Sequence, residues 1–410
     1  MSPCRSLREL DLALRDTFKY YAATIHFVLR GQKYASSPYF KDNIQARLHV
    51  FSLAITLRIW DKPHYRNGTF QHDLQKNLRN VAFPGTGIPL SWVCYSKVGM
   101  YAFIFAGLPI ICLIAAVNQH RNSLGSIWSA YRTNLLNPQD WFWFWRLNCL
   151  LASWHCLVDG EEGYKLEDKW TFLQAAHKQG IPISPFLQSP ATLIAKHRNE
   201  EGGLGYFAYS NASEGGDWIL QEALSNSESI ATLLPKRAPL STLRIVTASD
   251  GGLRNGGVGR GAWAMSCVWR AGRQGAMTDH SSILFDVDMG NGELGRGTTN
   301  SHWYKLGLRN ASQCPLFSFH DIQEHPDTGL LLTGKKMFDP LSEYIVELVE
   351  DAHNKLAPGV PLIGWDVALT TIGAVLLEGN FSCNFFRGTF DKNEYFQLVE
   401  KYMIEIEQRS

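Results

Sequence analysis

The sequence predicts an α+β protein in two parts, a mainly helical region followed by a mixed domain of strands and helices. Three observations predict this. Two early stretches, 6–30 and 43–60, carry apolar residues at helical spacing, with Arg and Lys between them. From Tyr164 the texture changes, and short β-type runs alternate with helical segments. Near the end, residues 361–384 (PLIGWDVALTTIGAVLLEGNFSCN) hold two apolar runs split by Thr370, Thr371, Ile372 and Gly373, the pattern of two strands and a tight turn.

Composition sets the bounds. A chain of 410 residues, 45% hydrophobic and 19% charged, is globular and long enough for two or three domains. The net charge of +1 is unevenly placed: the first 97 residues carry 14 basic and 6 acidic side chains, the remainder 25 and 32. A basic first quarter suits an anionic membrane surface, an acidic partner or a locally basic helical face. No nucleic-acid partner is expected. The eight cysteines are scattered without a CxxC pair, so neither zinc nor a disulfide framework is indicated. N-x-S/T sequons start at Asn67, Asn211, Asn310 and Asn380. The first 30 residues have no uninterrupted apolar core after a basic start, so no cleavable signal peptide is expected.

In chain order, residues 1–97 read as a basic helical region whose two amphipathic helices lie on the protein surface or on a membrane. A breaker-rich link, FPGTGIP at 83–89, follows. Residues 98–119 contain no charge over 22 positions, which meets the length needed for a membrane span. Pro109 in the middle allows a kinked span or a re-entrant hairpin, and a buried core helix is the competing reading. The flanking Lys and Arg tie, so orientation is not legible. Residues 120–160 hold Trp141, Trp143, Trp145 and Trp154. Interrupted by Arg146, Asn148 and His155, this stretch reads as a helical neck rather than an interfacial belt. Residues 161–408 form the mixed domain. Its β-type runs are IPISPF, TLIAKH, DWILQEAL, TLRIVTAS, WAMSCVWRA and SILFDVDM, with helices over about 341–356 and 392–408.

The chemistry-bearing residues lie in this last part. Strand side chains alternate faces, so Glu378 and Asn380 point the same way, and a hairpin brings Asp366 to them. Two carboxylates and an amide oxygen make a hard-oxygen site suited to Mg²⁺ (or Mn²⁺) carrying a nucleotide phosphate; the plain alternative is a hairpin with polar ends. Lys169 lies in KLEDKWTFL. Lys196 precedes HRNEEGGLG, with Gly202, Gly203 and Gly205, and a lysine before a glycine-rich turn can set one ammonium and several N–H groups on phosphate oxygens. Taken alone that turn is common. Gln221, Glu222, Ala223 and Leu224 end another strand-like run and could offer backbone groups to an adenine edge. Arg244 sits among apolar neighbours in TLRIVT, where it either pairs with a carboxylate or faces a transferring phosphoryl group.

Taken in order, Lys169, Lys196 with its glycine-rich loop, Gln221-Glu222-Ala223-Leu224, Arg244, Asp366 and Glu378-Gly379-Asn380 resemble an ATP-grasp catalytic domain. More narrowly, the chain is similar to the sugar-transfer-associated, α-L-glutamate ligase-related group over about 150–400. STLRIVTAS, GRGAWAMSCVWRAGRQGAMTDH, EHPDTG and GWDVAL…GAVLLEGN carry that likeness. The resemblance implies two α+β lobes gripping ATP, with Lys169 and Lys196 on the α and β phosphates and residues 221–224 as the adenine hinge. Asp366, Glu378 and Asn380 would hold Mg²⁺, and Arg244 would face the γ-phosphate or an acyl phosphate. His325 and Asp327 would face the acceptor; read plainly, HPDTG is a tight turn. Asp279-His280-Ser281 departs from the family's Asp-Asn and puts acceptor specificity in doubt. The implied reaction is ligation: a small-molecule or glycan-linked carboxylate becomes an acyl phosphate and is captured by an amine or other nucleophile. The alternatives are a kinase acting on a sugar or another small molecule, or a non-catalytic nucleotide-binding membrane adaptor. The expected location is a membrane, with the catalytic part facing the cytosol, or otherwise the cytoplasm.

Overall fold

A computed structural model describes residues 3–82, 89–120, 123–196, 206–254, 259–278, 282–299, 321–337 and 342–410. Helices come first: α1 (Pro3–Thr24), α2 (Ile44–Arg58), α3 (Phe70–Leu78), α4 (Lys97–Ala102), α5 (Leu108–Gln119), α6 (Leu124–Leu136), α7 (Trp141–Asp159) and α8 (Lys169–Lys178). Strands β1 (Thr192–Lys196) and β2 (Tyr206–Ser210) form a two-stranded antiparallel sheet. The short helix α9 (Glu228–Ala231) precedes β3 (Thr242–Ser249), β4 (Ala262–Ala271), β5 (Ile283–Val287) and β6 (Leu294–Thr298). Then come α10 (Ser342–Leu356), β7 (Leu362–Thr370), β8 (Gly373–Asn380) and α11 (Lys392–Arg409). Strands β3 to β8 make one six-stranded antiparallel sheet in the order β6-β5-β4-β3-β7-β8. The chain is therefore α+β.

Both faces of that sheet are covered, which is why β3 and β7 are buried along their whole length. Leu243, Ile245, Trp269 and Trp365 face a core shared with Phe172 of α8 and Val349 of α10. On that side Thr247 Oγ1 accepts from the Trp365 indole at 2.9 Å and meets His353 Nδ1 at 2.7 Å. Val246 and Ala248 face the other way, into a core shared with α1, α2, α7 and α11. The helical first part and the C-terminal helix thus share one core on the second face of the sheet.

Helix α2 differs from the surface helix expected over 43–60. Val50, Phe51 and Ile55 are fully buried and Leu48 lies on another side of the same helix, also at 0% exposure. A helix apolar all round belongs inside a core, and its spacing was misread because Arg47 and Arg58 stand only at its ends. These arginines also show where part of the basic surplus goes. Glu407 of α11 accepts from the Tyr34 N–H at 2.7 Å and from Arg58 at 3.3 Å, and Arg66 pairs with Glu167 at 2.6 Å. The acidic end of the chain thus meets the basic start within the molecule.

The uncharged stretch is helical throughout, α4 and α5 being joined by a π-helical turn at Phe103–Gly107. Pro109 explains that turn. It lacks an N–H, and its ring clashes with a carbonyl one turn back, so the helix widens locally. The carbonyls left by the missing donor are those of Ile104 and Phe105. They accept from the hydroxyls of Tyr20 (2.7 Å) and Tyr21 (3.0 Å) on α1. Among the described residues one helical stretch, Lys97–Val117, is long and apolar enough to cross a membrane, and 39% of its 18-residue apolar window is buried. Length and composition alone do not separate a span from a core helix. Trp141, Trp143 and Trp154 of α7 are buried in the core.

Two expected strands are absent as such. IPISPF and DWILQEAL are extended segments tied by isolated bridges, Ile183 with Leu376, Phe186 with Gln221 and Asn211 with Trp218. Pro182 and Pro185 remove ladder donors from the first segment.

Candidate functional site

The C-terminal hairpin forms as its sequence predicts, with Gly373 at φ +109° closing a two-residue loop. Its register pairs Asp366 with Glu378 and Gly364 with Asn380, while Arg244 on β3 pairs with Asp366 from the other side. Three neighbouring strands thereby bring Arg244, Asp366 and Glu378 into one row. Gly364 is needed beside them: a Cβ there would lie 2.7 Å from Cys383 Cβ and 3.1 Å from Arg244 Cδ.

Arg244 grips Asp366 at two points, Nε donating to Oδ1 at 2.6 Å and Nη2 to Oδ2 at 3.1 Å. A second arginine reaches the same carboxylate: Arg270 Nη2 donates to Oδ1 at 3.1 Å and Nη1 to Oδ2 at 3.4 Å. Beside them Lys169, at the first position of α8, lies 2.8 Å from Glu378. The Asn380 amide donates to the Gly364 carbonyl at 3.3 Å and to Glu378 at 3.4 Å. Phe386 covers both guanidinium groups, 5.7 Å from Arg244 and 5.5 Å from Arg270. Its φ of +51° is strained backbone for a bulky side chain.

Electrostatics follow from this geometry. Burial pushes the Asp366 carboxyl up, but Arg244 and Arg270 outweigh it and hold it below its ordinary value. For Arg244, burial pulls down and Asp366 more than restores it. The hydrogen bond to Glu378 raises Lys169. The cluster sets three basic side chains against two carboxylates, so its formal surplus is positive. Arg244 and Asp366 are almost sealed, whereas Glu378 and Lys169 are 29% and 67% exposed. The open side is therefore a lysine and a carboxylate backed by two arginines, a surface suited to polyphosphate oxygens.

Segment 220–227 is fixed at both ends. Leu187 N–H donates to the Leu220 carbonyl and Glu222 N–H to Pro185, each at 2.9 Å. Further on, Ser227 N–H donates to Leu369 at 2.9 Å and Thr371 N–H to Ser225 at 3.3 Å. Between these ties the Glu222 carbonyl and the Leu224 N–H have no backbone partner among the described residues. An acceptor and a donor two residues apart on an exposed segment match the donor and acceptor of an adenine edge.

The other expected residues stand elsewhere. Lys196 ends β1 in the separate two-stranded sheet, with its side chain exposed. Gly202, Gly203, Gly205 and Asp279 lie outside the described residues. His325 and Asp327 form the tight turn their sequence suggests. His325 is buried beside the Gly272 carbonyl at 3.1 Å, and Asp327 pairs with Arg273 at 2.7 Å. That ion pair, with Arg273 as its largest cause, holds the Asp327 carboxyl down at about 2. Both side chains fasten the turn to the segment after β4. Arg270 was missed in the sequence. Its alternation with Val268 puts it on the Arg244 face only once the register of β4 on β3 is known.

The donor set was tested for a magnesium ion. Among the described residues no group of three His, Cys, Asp or Glu could hold a metal. The hard-oxygen set has two carboxylates, Asp366 and Glu378, and the amide oxygen of Asn380, whose nitrogen bonds the Gly364 carbonyl and Glu378. Mg²⁺ takes oxygen donors of this kind, one or two carboxylates shared with substrate phosphates, but both Asp366 oxygens here accept from Arg244 and Arg270. No protein-family model matches the chain, and no curated protein matches it in sequence.

Proposed function

We propose that this protein is an ATP- and Mg²⁺-dependent ligase of ATP-grasp type that activates a carboxylate for capture by an amine or other nucleophile. The observation that carries the reading is the cluster itself. Two arginines share Asp366 beside the Glu378–Lys169 pair, and the exposed 220–227 segment carries a carbonyl and an N–H with no backbone partner among the described residues. The resemblance over 150–400 and the glycine-rich sequence after Lys196 support it. When bound, Mg²⁺ would be held by Asp366, Glu378 and Asn380 and would neutralise phosphate charge.

The chain's own residues do the rest. Glu222 and Leu224 orient the adenine. Lys169 exchanges its bond to Glu378 for phosphate oxygens. Arg270, and Arg244 behind it, stabilise charge on the transferring phosphoryl group in a site where Phe386 limits water. The substrate carboxylate attacks the γ-phosphorus and ADP leaves; the amine then attacks the acyl carbon and inorganic phosphate leaves. The same reading puts the protein at a membrane through Lys97–Val117, with its nucleotide site on the cytosolic side, where ATP is supplied. Complete release by alkaline carbonate would overturn that placement.

The test of function is ADP release against a panel of amino acids, sugar acids and peptides, with mass analysis of products. ADP together with an amide is the expected result. ADP with a phosphorylated alcohol would replace the ligase by a kinase, and ATP binding without turnover would make the protein an adaptor.

A further inference from the structure

A second site lies among the first helices. An almost wholly apolar cavity is walled by residues such as Leu53, Leu74, Val93, Phe103, Ile111 and Trp145. One charged side chain, Arg146 of α7, takes part in its wall.

Arg146 has no carboxylate partner among the described residues. Its Nη2 donates to Ser52 Oγ at 2.8 Å and to His49 Nδ1 at 3.2 Å. Its Nε and Nη1 are shielded from solvent and have no acceptor. A guanidinium carries five N–H donors, so those two nitrogens leave three unfilled. His49 adds another. Burial, aided by Arg146, holds it well below its ordinary value, so it is neutral; with Nδ1 accepting, Nε2 carries the proton, and that nitrogen is also buried without a partner. Every unfilled group is a donor. A buried arginine without an anion is strongly disfavoured, and a cluster of unfilled donors beside an apolar cavity calls for an amphiphile with an acidic head.

We propose that this cavity binds a long-chain carboxylate, its acyl chain against the apolar wall and its carboxylate on Arg146. Among the described residues Arg146 is the one cation lining the cavity, which suits a monoanion better than a phosphate dianion. The setting indicates the source. Phe103 and Ile111 line the cavity from the uncharged helical stretch, whose Val98, Ile110, Ile114 and Val117 are exposed at 41–77%. A ligand that partitions into a bilayer would reach the cavity along that helix. This inference does not depend on the nucleotide reading.

The test uses the purified full chain stripped of lipid, titrated with palmitate, hexadecanol and hexadecyl phosphate. Palmitate is expected to bind at least about 10-fold more tightly than hexadecanol, since a charge-assisted hydrogen bond is worth about 1.5–3 kcal/mol. Arg146→Met should erase that preference without lowering the thermal midpoint, because it replaces an unpaired buried charge by an apolar side chain. Val93→Trp, which fills the cavity from a half-buried position, should weaken palmitate and hexadecanol alike. Equal affinity for palmitate and hexadecanol, or unchanged palmitate binding in Arg146→Met, would overturn the proposal. Binding of hexadecyl phosphate without palmitate would overturn the carboxylate assignment.

Discussion

Replacing Arg270 by methionine separates a nucleotide site from a structural ion pair. Asp366 would keep its two bonds to Arg244, the nearer at 2.6 Å, and lose only those to Arg270 at 3.1 and 3.4 Å. The fold should therefore lose only about 1 kcal/mol. Arg244→Met is the contrast: it opens the closest contact of a buried pair between adjacent strands and should cost about 3–5 kcal/mol. Nucleotide affinity should behave differently. A cation about 5 Å from a phosphate charge, at an effective dielectric constant of about 20, contributes about 3 kcal/mol. Allowing for screening by solvent, Arg270→Met should weaken Mg·ATP by about 30- to 150-fold. Calorimetric titration with Mg·ATP and urea unfolding of both variants give the two quantities. An affinity change below about 3-fold, or a stability loss matching that of Arg244→Met, would refute the reasoning and leave the cluster a structural ion pair.

Glu378→Gln should abolish ATP turnover while changing stability by less than about 1 kcal/mol, because its lysine partner is largely exposed; wild-type turnover in a steady-state ADP assay would remove Glu378 from the site. Asp159 lies 3.0 Å from His155 Nε2 and accepts from Arg409 where α7 meets α11, and its folded value near 2 lies below the ordinary 3.8, with His155 the largest cause. A depressed carboxyl stabilises above its unfolded value and loses that contribution as pH falls from about 4 to 2, so Asp159→Asn should cost about 1–2 kcal/mol at pH 7 and flatten acid unfolding in that window. Identical acid-unfolding curves would contradict this. Tyr20→Phe removes the donor to the Ile104 carbonyl in the π-helical turn and should cost about 1–3 kcal/mol in thermal or urea unfolding; a neutral effect would mean that carbonyl finds another donor.

The C-terminal hairpin was legible because local chemistry specifies it: alternating apolar residues, Thr370 bonding its own turn, and Gly373 at a φ other residues avoid. Helices α10 and α11 were legible for the same reason, each having an apolar face of helical period. What failed depends on contacts distant in sequence. Helix α2 has apolar residues on every side, a pattern that fixes a helix but not its surroundings. Arg270 joins the site through the register of β4 on β3, which a bulge at Val246/Thr247 shifts, and no local signal in the sequence reports that. The extended segments 181–186 and 217–224 have β-type composition but only isolated bridges, since composition does not supply a neighbouring strand. Arg146 was equally hidden: α7 showed an arginine interrupting an aromatic helix, and only packing reveals that no acid among the described residues meets it.

The measurement that bears most directly on the central claim is a structure of the full chain with Mg²⁺ and a non-hydrolysable ATP analogue. The account predicts the triphosphate against Lys169, Arg270 and Glu378, with the Lys169–Glu378 contact of 2.8 Å opened and the adenine edge on the Glu222 carbonyl and Leu224 N–H. A nucleotide bound away from these residues, or none bound at saturating concentration with the Arg244–Asp366–Arg270 cluster unchanged, would contradict it.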